Sequence, residues 1–571
     1  MFYQLAIGVI IRVYGNGCVS ETARGRIKNE RFEEKGMSSF LNSNELCFWY
    51  GYRCEGCNMP TKFSLVVLVV LSNLTHVAFA QDTLLPAPFH GRLDSLQSAT
   101  LSQKRYFQVF TPPAYEPGSS KRYDVLYVLD GGNWNIGLIA PIQRFIQAQG
   151  HMPPTLIVSI MGIDRNVELT PTHLSSWQAP TGGADKFLGY IKDELIPYIN
   201  QNYPSNGDNT IWGHSLGGMF VVYAMLKAPD AFKSYIAADP SLWWDSNYVP
   251  KLASAALPSL GDRKVSLFIA GRQGSALHGM GIDTMETILR KMAPPGLAWS
   301  VTAYPEETHS SIRFKTTYDG LRFTYAGLTE HIQFDPMCGI VVKDKPITLW
   351  YDDDTARVHY TVDGSVPTES STKADRKVKL NEAAIVTYRR MSNRSRYDKT
   401  FTGVFKAGTT LPPAAAPKRA VPGGFNYSYY EGDSAQLGKL NKPVPVKTGV
   451  ADSSFDVKTL PLNGNHTLVV SGWLQTTEEG YYTFYFANQK GAKLYVGDQL
   501  LIQFTEQTGT PYISYIVPLG KGFYPIRVEY INNKEQSLQT PYLPFYITPQ
   551  SSSDNDPKPI PLSMEYHLQG R

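Results

Sequence analysis

The sequence predicts an α/β domain followed by two all-β domains. Between residues 81 and 335, continuous apolar runs alternate with amphipathic helical segments, and after residue 335 short alternating strands replace the helical periodicity. Apolar strands separated by helices are typical of a mostly parallel sheet that is covered on both faces. The length of 571 residues also fits about three domains rather than one.

The composition excludes several classes of protein. Hydrophobic residues make up 42% of the chain and charged residues 18%, which is enough apolar material for several cores and excludes a mostly disordered chain. The net charge is +4 and no run of five basic residues occurs. Nothing in the sequence therefore indicates nucleic-acid binding.

Residues 59–80 have the pattern of a secretory signal peptide. Lys62 precedes an apolar run over residues 63–71, and Ala78 and Ala80 supply small residues at the cleavage-site positions. The run is too short for the ~30 Å core of a bilayer, which disfavours a membrane anchor. We expect cleavage after Ala80 and export to the periplasm or the outside of the cell, with no stable membrane span.

Because signal peptides stand at true N-termini, residues 1–58 are interpreted as an over-extended start that is not part of the mature protein. Four of the five cysteines lie there, and only Cys338 lies beyond it. A single Cys54-x-x-Cys57 pair is a weak indication of a zinc or redox site. The expected mature protein is an exported one without disulfides, and we expect neither a metal nor a cofactor.

The elements of the α/β domain, taken as residues 81–335, follow from its periodicity. Strands are predicted at 105–111, 124–129, 155–160, 210–212, 235–238, 265–270 and 299–304, and helices at 184–200, 216–227, 281–292 and 311–326.

The strongest local signal is Gly213-His-Ser215-Leu-Gly217. It matches G-x-S-x-G, a sharp strand-to-helix turn that exposes a nucleophilic serine. An apolar strand precedes it and a helical pattern follows, which is the context that the motif requires. The two glycines are needed because strand and helix backbones approach too closely for a Cβ. We predict Ser215 as the nucleophile; the alternative is an ordinary glycine-rich turn.

A serine needs a base to take its proton. His309 is predicted for that role because it follows the last strand and precedes the last helix of the α/β domain. The other histidines lie before the nucleophile or at positions typical of the surface. His214 adjoins Ser215 in a tight turn and is expected to point elsewhere.

These motifs resemble one family. Residues 90–330 are similar to the putative-esterase branch of the α/β-hydrolases (esterase D and enterochelin esterase-like), which also includes feruloyl esterases and mycolyltransferases. The resemblance rests on four segments: Tyr127-Val-Leu-Asp-Gly-Gly-Asn-Trp134, residues 213–218, Asp239-Pro-Ser-Leu-Trp-Trp244 and Glu307-Thr-His-Ser-Ser311. Arg165 and the nearby Thr170-Pro171 look most like the siderophore-esterase side of that branch.

The resemblance implies an oxyanion hole and a substrate pocket. The family's oxyanion hole would use the backbone N–H of Leu216 together with one from Gly132 or Asn133. The substrate pocket is assigned to side chains in or near the matching segments, namely Trp134, Arg165, Trp243 and Trp244.

The position of the triad acid departs from the family pattern. Many relatives carry Asp or Glu soon after the strand that here ends in Ala-Gly271, but this chain continues without a carboxylate until Asp283. Either a Ser–His dyad operates, or the acid has moved. Asp239 is the candidate for a moved acid, and its alternative role is an ordinary cap before Pro240.

Two β-rich modules are predicted after the α/β domain. Residues 336–407 resemble the immunoglobulin-like β-sandwich at the C-terminus of chitobiase-type enzymes, through a strand followed by Asp363-Gly-x-x-Pro-Thr368. Residues 408–424 are a Pro- and Ala-rich linker, and residues 425–548 resemble the β-barrel of bacterial protective-antigen toxins. That barrel has no Asp-Asp pair, so calcium-dependent sugar binding is not indicated. Residues 549–571 are predicted to be a flexible tail.

Together these features predict an exported serine esterase that hydrolyses carboxylic esters through an acyl-enzyme. The expected partner is an ester substrate, either a siderophore or an acylated polysaccharide, and the β-barrel is a candidate polysaccharide-binding module. Two alternatives stay open: a non-catalytic glycan-binding or adhesion protein with a relic hydrolase domain, and an acyltransferase.

Overall fold

The computed structural model describes residues 91–113, 115–329, 332–351, 354–432, 444–452, 460, 465–487, 492–503, 512–532, 545–549 and 561–569. The predicted signal peptide and the segment before it lie outside the described residues. None of the helices described is both long and apolar enough to cross a membrane.

One eight-stranded sheet forms the centre of the α/β domain. Its strands are β1 (Arg92–Ser98), β2 (Gln103–Phe110), β3 (Tyr123–Val128), β4 (Thr155–Ile160), β5 (Ser205–His214), β6 (Ser234–Ala238), β7 (Val265–Arg272) and β8 (Leu297–Tyr304). Their spatial order is β1-β2-β4-β3-β5-β6-β7-β8. Strands β3 to β8 run parallel, and β1 and β2 are antiparallel additions at one edge.

Helices cover both faces of this sheet. They are α1 (Asn133–Ala148), α2 (Arg165–Glu168), α3 (Ala184–Gly189), α4 (Ile196–Asn202), α5 (Leu216–Lys227), α6 (Trp244–Ala256), α7 (Ser275–Gly279), α8 (Ile282–Met292) and α9 (Ile312–Thr324). One π-helical turn, Tyr190–Leu195, joins α3 to α4, and a 3₁₀ turn, Leu257–Leu260, follows α6.

Alternate residues of the central strands enter different cores, as the twofold periodicity of a strand requires. Tyr127 and Tyr235 belong to the core on one face, and Leu126 and Ile236 belong to the core on the other. The prediction of an α/β-hydrolase domain followed by β-rich domains is confirmed. The helix α1 was not predicted, because Gly137 and Pro141 interrupt its helical pattern.

The residues described after the α/β domain are almost entirely β-structure. Its strands are β9 (Cys338–Val342), β10 (Ile347–Trp350), β11 (Val358–Thr361), β12 (Thr372–Lys373), β13 (Lys377–Leu380), β14 (Ala384–Arg390), β15 (Lys399–Gly408), β16 (Ala420–Pro422), β17 (Phe425–Glu431), β18 (Lys447–Ala451), β19 (His466–Thr476), β20 (Gly480–Ala487), β21 (Lys493–Val496), β22 (Gln499–Gln503), β23 (Tyr512–Leu519), β24 (Gly522–Asn532), β25 (Phe545–Pro549) and β26 (Glu565–Leu568). Short 3₁₀ turns lie at Thr355–Arg357, Ser395–Tyr397 and Leu562–Met564.

The two β-modules share a sheet. Strand β9 pairs in parallel with β15 of the first module and with β23 of the second, so one eight-stranded sheet, β12-β11-β14-β15-β9-β23-β20-β25, crosses the predicted boundary. The side chain of Ile516 from β23 is buried in the core of the first module. The modules therefore form one continuous β-region rather than two separate bodies.

The predicted linker and tail are both paired. Within residues 408–424, Leu411 bridges to Leu519, and β16 pairs with β26. Strand β26 also pairs with β19, and Glu565 at its start is fully buried. The predictions of a separate linker and of a tail that is flexible throughout are wrong in these parts, because sequence composition does not reveal pairing with strands that are distant in the chain.

Side chains of the β-region also contact the α/β domain. Arg394, which is 3% exposed, forms ion pairs with Asp124 at the start of β3 and with Asp208 near the start of β5. Tyr397 donates its hydroxyl to Asp124 Oδ1 at 2.6 Å. This buried cluster lies at the edge of the sheet where β3 and β5 begin.

Candidate active site

The sheet brings the predicted triad residues to one edge. Ser215 follows β5, Asp239 follows β6 and His309 follows β8. These strands are parallel neighbours or near neighbours, so their carboxyl ends meet at the same edge, where α/β sheets form their sites.

Ser215 occupies a strained turn. Its φ of 60° and ψ of −118° lie outside the regions that non-glycine residues ordinarily adopt. The turn is held by the Ser215 N–H, which donates to Ala238 O at 2.9 Å. A Cβ added to Gly213 would lie 2.3 Å from Gly217 O, which explains why this strand-to-helix turn needs its flanking glycines.

His309 and Asp239 form a direct hydrogen bond. His309 Nδ1 donates to Asp239 Oδ2 at 2.6 Å, and the Asp239 side chain is fully buried. Burial raises the pKa of Asp239, but hydrogen bonds from His309 and Arg272 and the charge of Arg272 outweigh it and hold that pKa below its usual value. An ionised Asp239 fixes the Nδ1–H tautomer and leaves His309 Nε2 as a proton acceptor.

The position of Asp239 depends on its backbone. Its φ is 41°, and its N–H donates to Ala270 O of the neighbouring strand at 2.8 Å. Sequence reasoning left open whether Asp239 was a moved acid or a turn cap. The structure places its carboxylate against the imidazole and so brings together these two predicted residues.

The Ser215 hydroxyl has a different neighbour. Within the described part of the chain, its Oγ is hydrogen-bonded to Ser241 Oγ at 3.3 Å and not to His309. Catalytic hydrogen bonds are often long without substrate and tighten when it binds. Ser241 is buried, and its N–H donates to Ser215 O at 3.0 Å, so it supports the turn.

His214 does not point away from the site as expected. Its Nε2 donates to the backbone carbonyl of His309 at 2.6 Å, and the two imidazole centroids are 4.4 Å apart. Burial, followed by the charges of His309, Arg313 and Arg165, lowers the pKa of His214 to about 4. His214 is therefore neutral near pH 7 and holds the His309 loop. Its adjacency to Ser215 was visible in the sequence, but its direction was not.

The predicted oxyanion hole lies between two helix N-termini. Leu216 is the first residue of α5 and Asn133 the first of α1, so their N–H groups have no acceptor within their own helix. The Gly132 N–H already donates to Asp130 O at 2.8 Å. A Cβ on Gly217 would lie 3.3 Å from Asp130 Oδ2, so the first turn of α5 lies close to the loop that precedes α1. Leu216 and Asn133 are thus better suited to an oxyanion than Gly132.

Arg165 joins the loop after β3 to the nucleophile turn. Its guanidinium pairs with Asp130 and also donates to His214 O at 3.5 Å. Burial raises the pKa of Asp130, and the charge of Arg165 opposes that rise. Arg165 remains 38% exposed, so it presents a positive surface beside Ser215, consistent with its predicted place in the pocket.

Tryptophans lie on both sides of this edge. Trp134, at the start of α1, is 77% exposed and lies under the guanidinium of Arg313, 5.6 Å from its ring centroid. Trp243, two residues after Ser241, is 40% exposed, and so is Trp177; their ring centroids are 6.4 Å apart.

Trp244 differs from its predicted role. It is fully buried, and its Nε1 donates to Thr172 Oγ1 at 3.0 Å. Its ring meets that of Trp177 edge-on at 5.1 Å, so Trp244 supports the exposed pair Trp177 and Trp243 from below instead of lining the pocket. Trp177 was missed because it lies in a loop without any motif.

No metal-binding arrangement of three or more His, Cys, Asp or Glu side chains occurs among the residues described. The residues brought together at this edge are a serine, a carboxylate-bound histidine, helix N-termini, arginines and aromatic rings. Such a set can attack a carbonyl, move one proton and bind an oxyanion.

Family models match two parts of the chain. Residues 98–279 match the model described as putative esterase, and residues 445–558 match the PA14 domain. The first covers the strands and turns that carry Ser215 and Asp239. The second confirms the resemblance of the C-terminal β-barrel to the protective-antigen module, while the chitobiase-like assignment of residues 336–407 stays a prediction.

Individual relatives that resemble this chain are also named as esterases, in agreement with the putative-esterase match. The chain is 28% identical over 252 residues to the ferri-bacillibactin esterase BesA of Bacillus subtilis, which covers 39% of this chain and 86% of that protein. It is 28% identical over 155 residues to the siderophore enterobactin esterase of Emericella nidulans, covering 23% of this chain and 50% of that one.

Among solved structures, an IroE-like serine hydrolase from Shewanella oneidensis is 30% identical, with a TM-score of 0.38, and covers 41% of this chain and 79% of its own. The putative-esterase match and the two esterase-named relatives agree with each other. Through its α/β-hydrolase domain, which resembles these esterases, this chain is a carboxylic ester hydrolase, and residues 445–558 behind that domain match the PA14 domain.

Proposed function

We propose that this protein is an exported serine esterase that cleaves siderophore-type carboxylic esters through an acyl-enzyme on Ser215. The observation that carries the proposal is the 2.6 Å hydrogen bond from His309 to the buried Asp239, at the same sheet edge as the strained Ser215. A neutral imidazole oriented by a carboxylate is what a serine nucleophile needs as its base.

The proposed reaction has two steps. Ser215 Oγ attacks the ester carbonyl while its proton passes to His309 Nε2, and the oxyanion is bound by the N–H groups of Leu216 and Asn133. His309 then gives the proton to the departing alcohol. Water attacks the acyl-enzyme by the same route and releases the acid. Each backbone donor to the oxyanion is worth about 3 kcal/mol in the transition state.

The surroundings of Ser215 support a siderophore-type substrate. Metal-chelating siderophores with catechol groups are aromatic and anionic. Trp134, Trp177 and Trp243 offer exposed ring faces, and Arg165 and Arg313 supply positive charge. Aromatic faces stack on rings and guanidinium groups bind anionic oxygens. The relatives named as siderophore esterases agree with this substrate class.

The PA14 match supports a second candidate substrate, a polysaccharide-linked acyl group. A module that binds sugar would hold an acylated glycan near the esterase domain and raise its effective concentration. This candidate keeps the same chemistry at Ser215 and differs only in what carries the ester.

The decisive experiment is an ester panel measured with the wild-type protein and Ser215→Ala. The panel contains a catecholate trilactone, acetylated and feruloylated oligosaccharides, and aryl acetates. We expect the trilactone to have the highest kcat/KM and Ser215→Ala to lose at least ~10⁴-fold. Full activity in Ser215→Ala would contradict the proposed mechanism, and a preference for acylated oligosaccharides would favour the second candidate.

Export is part of the proposal and rests on residues 59–80, which lie outside the described structure. N-terminal sequencing of the protein collected from the periplasm or medium should begin at Gln81. A mature protein that retained residues 1–58 would contradict both the signal peptide and the interpretation of the start.

A further inference from the structure

Arg272 is the one cation that touches the proposed catalytic carboxylate within the described structure. It is the last residue of β7 and pairs with Tyr304 of β8, and the next N–H, that of Gln273, donates to Tyr304 O at 3.0 Å. Its backbone is therefore fixed on the side of β8, while its side chain reaches towards β6.

Arg272 and His309 donate hydrogen bonds to the same oxygen atom of Asp239. Arg272 Nε donates to Asp239 Oδ2 at 2.6 Å, the same distance at which His309 Nδ1 donates to that atom. Asp239 Oδ1 is buried and has no hydrogen-bond partner among the described residues. A carboxylate that binds through one oxygen has its orientation fixed by these two donors, so Arg272 decides where Oδ2 stands relative to the imidazole.

Arg272 also offsets the cost of burying the carboxylate. The strand β7 ends in this guanidinium, which reaches the carboxylate that follows the neighbouring strand β6. An isolated carboxylate with no solvent exposure tends to take up a proton. A cation in direct contact opposes that tendency.

We propose that Arg272 is a positioning residue for the esterase reaction, one that keeps the relocated acid Asp239 ionised and holds its Oδ2 against His309. This rests on the proposed function of Ser215 and His309. Arg272 would contact Asp239 and would affect the base His309 only through that carboxylate, without touching the ester.

The sign of the pH effect follows from the charges near His309. The groups that face it or lie beside its loop are Asp239, Arg272, His214 and Arg313, with Glu307 already paired to Lys315. Loss of the Arg272 charge makes Asp239 easier to protonate and makes the imidazolium of His309 more favourable. Both changes remove the active form, neutral His309 with ionised Asp239, at a higher pH.

The test compares Arg272→Gln and Arg272→Lys with the wild type on an aryl acetate, so that it does not depend on the natural ester. For Arg272→Gln, we expect the acidic limb of the kcat profile to move up by about one pH unit, so that kcat near pH 6 falls roughly 10-fold while KM changes little. Arg272→Lys keeps the charge and should return the limb towards that of the wild type.

Arg263→Gln is the matched control, because it removes an exposed arginine–aspartate pair, Arg263 with Asp230 at 3.0 Å, just before the same strand. Circular dichroism at each pH shows whether a variant is folded. An acidic limb in folded Arg272→Gln that coincides with the wild-type limb would overturn the proposal and leave Arg272 as a structural tie between β6 and β7. Ser215→Ala in the same assay tests the proposed function separately.

Discussion

Each end of the parallel strands carries an arginine–carboxylate pair, and the two pairs have different surroundings. At the carboxyl end, Arg272 contacts Asp239, whose other donor is the 39% exposed His309. At the amino end, Arg394 contacts Asp124 and Asp208 and is itself buried.

At the amino end, Asp124 has hydrogen-bond donors on both of its carboxylate oxygens. Asp124 accepts hydrogen bonds from Tyr397 at 2.6 Å, Asn206 at 2.7 Å and Tyr325 at 3.0 Å, so neither of its oxygens is left for chemistry. Burial lowers the pKa of Arg394 to about 10, which still leaves it charged at pH 7. Because Arg394 comes from the β-region, this cluster ties the β-region to the esterase domain.

At the carboxyl end, the carboxylate of Asp239 is hydrogen-bonded through only one of its oxygens within the described structure. Asp239 accepts hydrogen bonds from Arg272 and His309 through Oδ2, and its Oδ1 has no partner among the described residues. Three residues near this site have positive φ, namely Asp130, Ser215 and Asp239. Backbone strain costs stability and is found where a protein does chemistry. The side chains of Asp239 and Asp124 are both fully buried, so the partly exposed histidine bound to Asp239, rather than the ion pair alone, separates the proposed catalytic carboxylate from the structural one.

The largest expected effect comes from removing the charge at the carboxyl end. Asp239→Asn should lower kcat by at least ~10²-fold, and by up to about 10⁴-fold for a full triad, with KM and the fold retained. The measurement is steady-state kinetics on an aryl ester together with circular dichroism.

Asp283→Asn is its control, because Asp283 pairs with the exposed His278 at 2.7 Å and not with His309. A large loss of kcat at Asp283 with none at Asp239 would reverse the assignment of the acid. A small loss at both positions would favour a Ser–His dyad.

At the amino end, the expected effect is on stability. Arg394→Met leaves Asp124 and Asp208 buried without their cation, and removing one partner of a buried ion pair costs about 3–5 kcal/mol. Urea unfolding should show this loss, while kcat of the folded variant at 25 °C stays near the wild-type value. Arg290→Met, which breaks an exposed pair with Glu286, should change the free energy of unfolding little. A loss of kcat in folded Arg394→Met would mean that the two ends are coupled.

His214, beside Ser215, is expected to make the stability of the folded protein depend on pH. The pKa of His214 is lowered to about 4 in the folded protein, against about 6.5 in an unfolded chain. As the pH falls from about 6.5 to 4, the unfolded state binds the proton and the folded state does not, so the free energy of unfolding falls, by at most about 3 kcal/mol.

His214→Gln should flatten that pH dependence in urea unfolding measured at a series of pH values. His278→Gln, at a side chain that is 82% exposed, is the control and should leave the slope as it is. An unchanged slope in His214→Gln would show that other groups cause the acid sensitivity.

The smallest change is expected for the exposed tryptophan rings beside the carboxyl ends of the parallel strands. Trp177→Ala removes a ring that packs against Trp243 and Trp244 and should raise KM for a catecholate ester roughly 2- to 12-fold, since an aromatic contact is worth about 0.5–1.5 kcal/mol. An aliphatic ester is the matched control substrate and should show little change. Equal increases for both esters would mean that Trp177 supports the loop rather than the ligand.

Sequence reasoning identified most of the α/β domain and part of its site. The predicted strand 155–160 and helix 216–227 coincide with β4 and α5, because long apolar runs and helical periodicity are local signals. Ser215 and His309 followed from motif and chain order. Sequence reasoning could not choose between the two roles of Asp239, and its expectation that His214 points away from the site was wrong. The directions of both side chains depend on backbone angles and on strands that are distant in the chain.

The amino-acid sequence by itself indicated an α/β domain followed by β-rich domains, the nucleophile turn and the resemblance to esterases, because glycine spacing, periodicity and motif are properties of neighbouring residues. Only the tertiary structure decided the partners: Arg272 with Asp239 across β6 and β7, Arg394 inserted among Asp124 and Asp208, and one sheet shared by the two β-modules. Hydrogen bonds and ion pairs of this kind join residues from 33 to 270 positions apart. Their energies depend on burial and geometry, which no local pattern in the chain specifies.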